Sequence, residues 1–196
     1  MKLFGRSNFI EIYDRALSPA QCETLISGFE NFPNKKEGRV ESDNNKKLDY
    51  DIKKCSQISG DLNNFSDKVT HIIRPSLFSC LKKYDEKYES LRYLSSWSYY
   101  SSFNIQKYDG EDDGYKAWHC EHGSSEDSSL RILAWMFYLN DAKSGTEFMN
   151  FPTVQGKTGR CIIWPAGWTH IHKGVIPNKG LKYIVTGWVS LVPERS

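Results

Sequence analysis

A mainly β jelly roll with helices packed outside one of its sheets is what this chain encodes, and three features say so. Seven short stretches rich in aromatic and β-branched residues crowd into positions 98–191. Turn signals separate them, among them Asp109-Gly110, Asp113-Gly114, Asn140-Asp141, Ser144-Gly145 and Gln155-Gly156. The stretches with a helical period all come earlier. Many short strands with no helix between them make an antiparallel sandwich or barrel, not parallel βαβ units. The 196 residues are long enough to bury a core as one domain, 1–196, with helical support at 1–97 and the core at 98–191.

The elements follow in order. Phe9 to Tyr13 alternates apolar and polar and reads as a strand. Ser18-Pro19-Ala20-Gln21 starts a helix, with Ser as N-cap, Pro at the first helical position and Gln three residues after the cap. Cys22, Leu25, Ile26 and Phe29 share its buried face, and Pro33 ends it. The polar run Asn34 to Lys47 is a loop, either a surface excursion or a lid. From Leu62 to Leu91, Phe65, Val69, Ile72, Ile73, Leu77, Leu81, Tyr84 and Tyr88 recur at helical spacing, interrupted by Pro75; two helices or one kinked helix are expected. Strands are expected at 98–108, 116–122, 131–139, 147–151, 159–164, 170–176 and 182–191. Pro177-Asn178 and Lys179-Gly180 mark the turn before the last.

Composition excludes several classes. Aromatics make up 14% and the net charge is +2 with both signs mixed, so the chain is globular and has no basic stripe for nucleic acid. The clusters Lys35-Lys36, Lys46-Lys47 and Lys53-Lys54 sit among Asn, Asp and Glu and read as solvated surface. Five cysteines, odd in number and without CxxC spacing, argue against a disulfide framework and for a reducing compartment. No segment approaches a membrane span and Met1 to Arg6 opens no signal peptide, so a cytoplasmic protein is expected.

The chemistry concentrates in two short segments. His119 and Glu121, two apart on an extended stretch, point to one side, with His122 opposite. His170 and His172 share a face of a later strand. Two imidazoles and one carboxylate without a thiolate suit Fe(II) in an open site, or Zn(II) in a hydrolytic one. Cys120, between the two ligands, is assigned to the core. Lys182, Ile184 and Thr186 share a face of the last strand, where a cation and a hydroxyl can grip the far carboxylate of a dicarboxylic acid. Alternatively, Lys182 sits at a strand end and reaches solvent.

From Ser98 to Leu191 the chain resembles the 2-oxoglutarate- and Fe(II)-dependent dioxygenases, in their prolyl 4-hydroxylase-like branch. The matching pieces come in the family's order: Tyr108-Asp109-Gly110 through Gly114-Tyr115, then His119-x-Glu121, Tyr138-Leu139-Asn140, Ser144-Gly145-Thr146-Glu147-Phe148, Gly159 to Pro165, and Lys182-Tyr183 with Thr186-Gly187-Trp188. The resemblance implies a double-stranded β-helix core, bound Fe(II), 2-oxoglutarate and O2 as co-substrates, ascorbate as an auxiliary reductant, and hydroxylation of a C–H bond. It implies His119, Glu121 and His170 as catalytic metal ligands, Tyr108 and Lys182 as 2-oxoglutarate contacts, and Thr186 as helper. Glu121 stands where the family usually has Asp, and Lys182 where many branches have Arg. The third ligand depends on the count: forward from Pro165 gives His170, back from Lys182 gives His172, and the run from His170 to Val175 fits the family strand with His170. A prolyl residue of a peptide or protein is the first expected substrate, a free amino acid or small metabolite the second. The rivals are a cupin-type hydrolase or isomerase, which needs neither Lys182 nor Tyr108, and a non-catalytic jelly-roll binding protein.

Overall fold

The computed structural model describes residues 7–42, 45–64, 66–176 and 180–192. Its strands are β1 (Glu11–Tyr13), β2 (Lys36–Glu37), β3 (Val40–Ser42), β4 (Asn45–Lys47), β5 (Lys53–Lys54), β6 (Ser56–Asp61), β7 (Trp97–Tyr108), β8 (Gly114–Tyr115), β9 (Arg131–Tyr138), β10 (Gly145–Phe148), β11 (Phe151–Gln155), β12 (Cys161–Pro165), β13 (His172–Gly174) and β14 (Lys182–Leu191). The helices are α1 (Pro19–Asn31), α2 (Lys68–Lys87) and the single turn α3 (Glu126–Ser129), with 3-10 turns at Glu89–Tyr93 and Trp168–His170. Phe65, the 177–179 part of the last turn and Met1 to Arg6 lie outside the described residues.

The major sheet is antiparallel, in the order β1-β12-β9-β14-β7-β6-β2, and a smaller sheet, β11-β10-β13, faces it. Its central strands are buried on both faces, which is why they read as continuous apolar runs. One face takes Ile105, Phe137, Ile163 and Val185 against Leu25 and Phe29 of α1 and Ile73 and Leu77 of α2. The other face, with Tyr108, Tyr138 and Ile184, meets Phe148 of the smaller sheet. Helices outside one sheet of a jelly roll are therefore what the chain forms.

Several local expectations change. Of the two arrangements expected around Pro75, the chain forms the single helix, with Pro75 inside α2. The 116–122 stretch is no strand; it is an irregular connection with one bridge, His119 to His172. The expected 147–151 strand is two strands, β10 and β11, folded back at Met149-Asn150. The polar 34–47 stretch carries β2 and the β3–β4 hairpin. All five cysteines are free. Among the described residues no helix is long and apolar enough to cross a membrane.

Candidate metal centre and its cavity

Three side chains converge between the sheets. His172 opens β13, and its backbone exchanges two 2.9 Å hydrogen bonds with that of His119. The Glu121 amide donates to Ala166 O at 2.9 Å, which fixes the next turn of the connection. The ligand-type atoms of His119, Glu121 and His172 lie within 4.8 Å of one another. Glu121 Oε1 is 3.3 Å from His172 Nε2 and 3.8 Å from His119 Nε2. Atoms each about 2.1 Å from one ion can be at most about 4.2 Å apart, so the carboxylate already stands at ligand spacing from each imidazole.

The protonation states also fit a cation. His119 Nδ1 lies 3.0 Å from Ala117 O and His172 Nδ1 2.9 Å from His170 O. A carbonyl only accepts, so each ring carries a proton on Nδ1 and turns Nε2 toward the centre. Burial, with the neighbouring His172, pushes His119 down to about 4. Burial alone would raise Glu121, yet the contact from His172 and the nearby His119 hold its carboxyl well below the usual range. Its other oxygen accepts from Trp188 Nε1 at 2.7 Å, and the Arg131 guanidinium lies 3.9 Å from the Trp188 ring. The donor set is thus two imidazoles and an ionised carboxylate, one that fits Fe(II) with positions left open.

His170 is not in this set, and the expectation for the third position is corrected to His172. The two histidines do not share a strand face: the 3-10 turn Trp168–His170 comes first, and β13 begins only at His172. The turn carries His170 away, onto Phe151 at 5.1 Å. Its Nε2 meets Asn8 O at 2.8 Å and its Nδ1 meets Thr169 Oγ1 at 2.9 Å, so both nitrogens are used. His122 contacts the Arg131 carbonyl instead. Cys120 is half-buried and lines the cavity, not the core.

The centre opens into a cavity of about 500 Å³. Lys182, Ile184 and Thr186 line it from β14, as their shared face requires. Lys182 is 4% exposed and does not reach solvent. Its cross-strand partner is Tyr108, whose ring lies 5.4 Å from the ammonium. Nζ donates to Gly145 O at 3.1 Å, and among the described residues no carboxylate pairs with it. Burial pushes Lys182 down to about 8. Asn140 sets this strand start: its amide donates to Leu181 O at 2.6 Å and its oxygen accepts from Tyr183 N at 3.0 Å. Tyr108 donates to Gln106 Oε1 at 2.7 Å. Thr186 donates to Trp135 O at 3.1 Å, so as oriented its proton is not turned into the cavity.

Sequence reasoning missed three contributors. Tyr138, whose ring is 5.9 Å from Lys182 Nζ and whose hydroxyl meets Thr146 at 2.6 Å, walls the lysine; its strand-end motif was the available signal. Trp188 steadies Glu121. Lys53, taken for solvated surface, is buried and lines the cavity, while Lys54 beside it turns out to Asp113 at 3.2 Å. Arg39 and Val40 from the 34–47 stretch, and Ser124, Asp127 and Ser128 from the loop after the ligands, complete the rim.

Comparison with known proteins agrees with this geometry. Residues 103–190 match the model of the 2OG-Fe(II) oxygenase superfamily. The viral collagen prolyl hydroxylase of Paramecium Bursaria Chlorella virus-1, solved with 2OG, superposes with a TM-score of 0.68 at 16% identity, covering 96% of this chain and 98% of its own. A Pseudomonas putida prolyl-4-hydroxylase gives 0.68 at 11% identity, covering 95% of each chain. A Trichoplax adhaerens prolyl hydroxylase in complex with a hypoxia inducible factor peptide gives 0.69 at 14% identity, covering 94% and 84%. At such identities the likeness is one of fold. No curated protein sequence matches the chain.

Proposed function

We propose that this 2OG-Fe(II) oxygenase hydroxylates a prolyl residue in a peptide or protein. One observation carries the reading: two imidazoles, a carboxylate and a buried lysine that has no acidic partner among the described residues share one cavity. His119, Glu121 and His172 would hold the iron. Fe(II), when bound, supplies the oxygen activation that couples conversion of 2-oxoglutarate and O2 into succinate and carbon dioxide to hydroxylation of a C–H bond.

The chain's own residues bind and orient. Lys182 takes the far carboxylate of 2-oxoglutarate, a charge-assisted bond worth about 1.5–3 kcal/mol once the ammonium is already desolvated. Tyr108 and Tyr138 wall that carboxylate and exclude water. Trp188 holds one oxygen of Glu121, so the other faces the metal despite a side chain one methylene longer than Asp. Phe148 and Trp164 pack on His172 at 5.6 and 5.0 Å and keep its ring in place. The prolyl assignment draws support from the prolyl hydroxylases that share the fold.

Protein loaded with Fe(II) without oxygen, then given O2, 2-oxoglutarate and prolyl peptides, should form succinate and a peptide heavier by one oxygen atom. Succinate formation without oxygenation of any prolyl peptide would remove the prolyl substrate. No dependence on 2-oxoglutarate would remove the oxygenase reading and favour a hydrolase.

A further inference from the structure

The cavity contains a second buried cation that binding of 2-oxoglutarate at Lys182 does not use. Lys53 lies on β5, paired with Tyr115 of β8, and is 7% exposed. Its ammonium donates to Gln57 Oε1 at 3.2 Å and lies 5.8 Å from the Tyr115 ring. Tyr115 in turn stacks on His119 at 3.6 Å, so one aromatic ring neighbours both Lys53 and the metal centre. Among the described residues no carboxylate forms an ion pair with it. A buried ammonium held only by a neutral amide is costly unless a charge arrives to meet it.

The charges lining the cavity lead the same way. Among the described lining residues the cations Lys53, Arg131 and Lys182 stand beside the carboxylates of Glu121 and Asp127. Fe(II) would add two positive charges and 2-oxoglutarate two negative ones, so loading leaves the charge balance of the cavity unchanged.

We propose that Lys53 receives a carboxylate of the primary substrate, so that the cavity takes two acids, 2-oxoglutarate on Lys182 and the substrate on Lys53. This rests on the cavity being an oxygenase active site, and it narrows the substrate class. The carboxylate belongs either to a free amino acid or to an acidic residue beside the target residue of a peptide. Gln57 and Gln106, linked at 3.5 Å, continue the polar wall from Lys53 to Tyr108.

The test uses oxygen-free protein saturated with Fe(II) and 2-oxoglutarate and titrated calorimetrically with matched pairs. These are L-proline and L-prolinamide, the capped peptides Ala-Pro-Glu-Ala and Ala-Pro-Gln-Ala, and other free amino acids with their amides. In at least one pair the acid should bind at least tenfold tighter than the amide. Lys53→Met should erase that preference and Lys53→Arg should keep part of it, with 2-oxoglutarate affinity unchanged. Which pair responds identifies the source of the carboxylate. A response confined to a non-prolyl amino acid upholds Lys53 and sinks the prolyl reading. Equal binding of acid and amide throughout the wild-type series, a preference that survives Lys53→Met, or a loss of 2-oxoglutarate affinity in that variant overturns the assignment.

Discussion

His170 and His172 are two residues apart, yet only His172 offers a nitrogen to the cluster, because its Nδ1 is tied to a carbonyl and its Nε2 faces Glu121 at 3.3 Å, whereas both nitrogens of His170 are bonded elsewhere. His172→Ala should therefore lose stoichiometric iron, and His170→Ala should retain it. Iron content of the two purified variants decides this, and the reverse result would restore His170. Glu121→Ala should also lose iron, and Glu121→Asp should keep part of it, since the shorter arm ligates alike but gives up the Trp188 bond. Lys182 supplies a pH dependence. Its ammonium titrates near about 8 in the free protein because burial disfavours the charge. A bound carboxylate favours the protonated form and raises that value. Affinity for 2-oxoglutarate should thus be full below about pH 8 and fall toward tenfold per unit above it, while Lys182→Arg should flatten the profile, because Arg stays charged. A flat wild-type profile would take Lys182 out of the pocket. His119 and Glu121 meet in the cluster through a bridge and turns, not through the strand face expected of them, while the cavity-facing position of Lys182 was legible from strand spacing. Lys53 was not, since a Lys-Lys pair in polar surroundings looks solvated until the β5–β8 pairing turns one side chain inward.

At the scale of elements, signals held where the deciding interaction is short-range. The capping box of α1 forms as expected, with Ser18 and Gln21 bonding each other's backbone amides at 3.2 and 2.9 Å. Pro75 did not break α2, although a proline inside a helix costs about 3 kcal/mol. Burial of Ile73, Leu77, Leu81 and Tyr84 on one stripe, at about 1.5–3 kcal/mol each, outweighs that cost. The 116–122 stretch alternates like a strand, but its only ladder contact is the bridge at His119, and turns at Glu121 and beyond aim the carboxylate. Gly159 makes the sharpest element-level demand. Its φ of +75° lies in the left-handed region, and an added Cβ would stand 2.0 Å from the Leu17 carbonyl carbon's oxygen. Gly159→Ala should destabilise the protein by at least about 1–3 kcal/mol. A urea midpoint equal to wild type would show that the approach of the α1 entry to β12 is looser than described.

For the whole molecule, the sandwich class was readable from the succession of short strands, but the order β1-β12-β9-β14-β7-β6-β2 was not, because each pairing joins segments far apart in the chain. That order matters to the site. β14 of the major sheet carries Lys182, β13 of the smaller sheet carries His172, and the connection between β8 and β9 brings His119 and Glu121. Direct links between the sheets at this end include Lys182 to Gly145 O and Tyr138 to Thr146. A metal held by the connection and the smaller sheet, and a dicarboxylate held by the major sheet, should therefore clamp the two sheets together. Ligands that bind only the folded state at about 100 times their dissociation constant stabilise by about 2.7 kcal/mol. For a chain of this size each kcal/mol raises Tm by about 2–4 °C. Thermal unfolding without oxygen should show Fe(II) raising Tm by roughly 5–10 °C, and 2-oxoglutarate adding a further increment only when the metal is present at full strength. His172→Ala should lose both increments. Lys182→Ala should keep the first and lose most of the second. Equal 2-oxoglutarate increments in wild type and Lys182→Ala would mean that the acid does not bridge from the metal to β14, and the two-sheet clamp would fall with it.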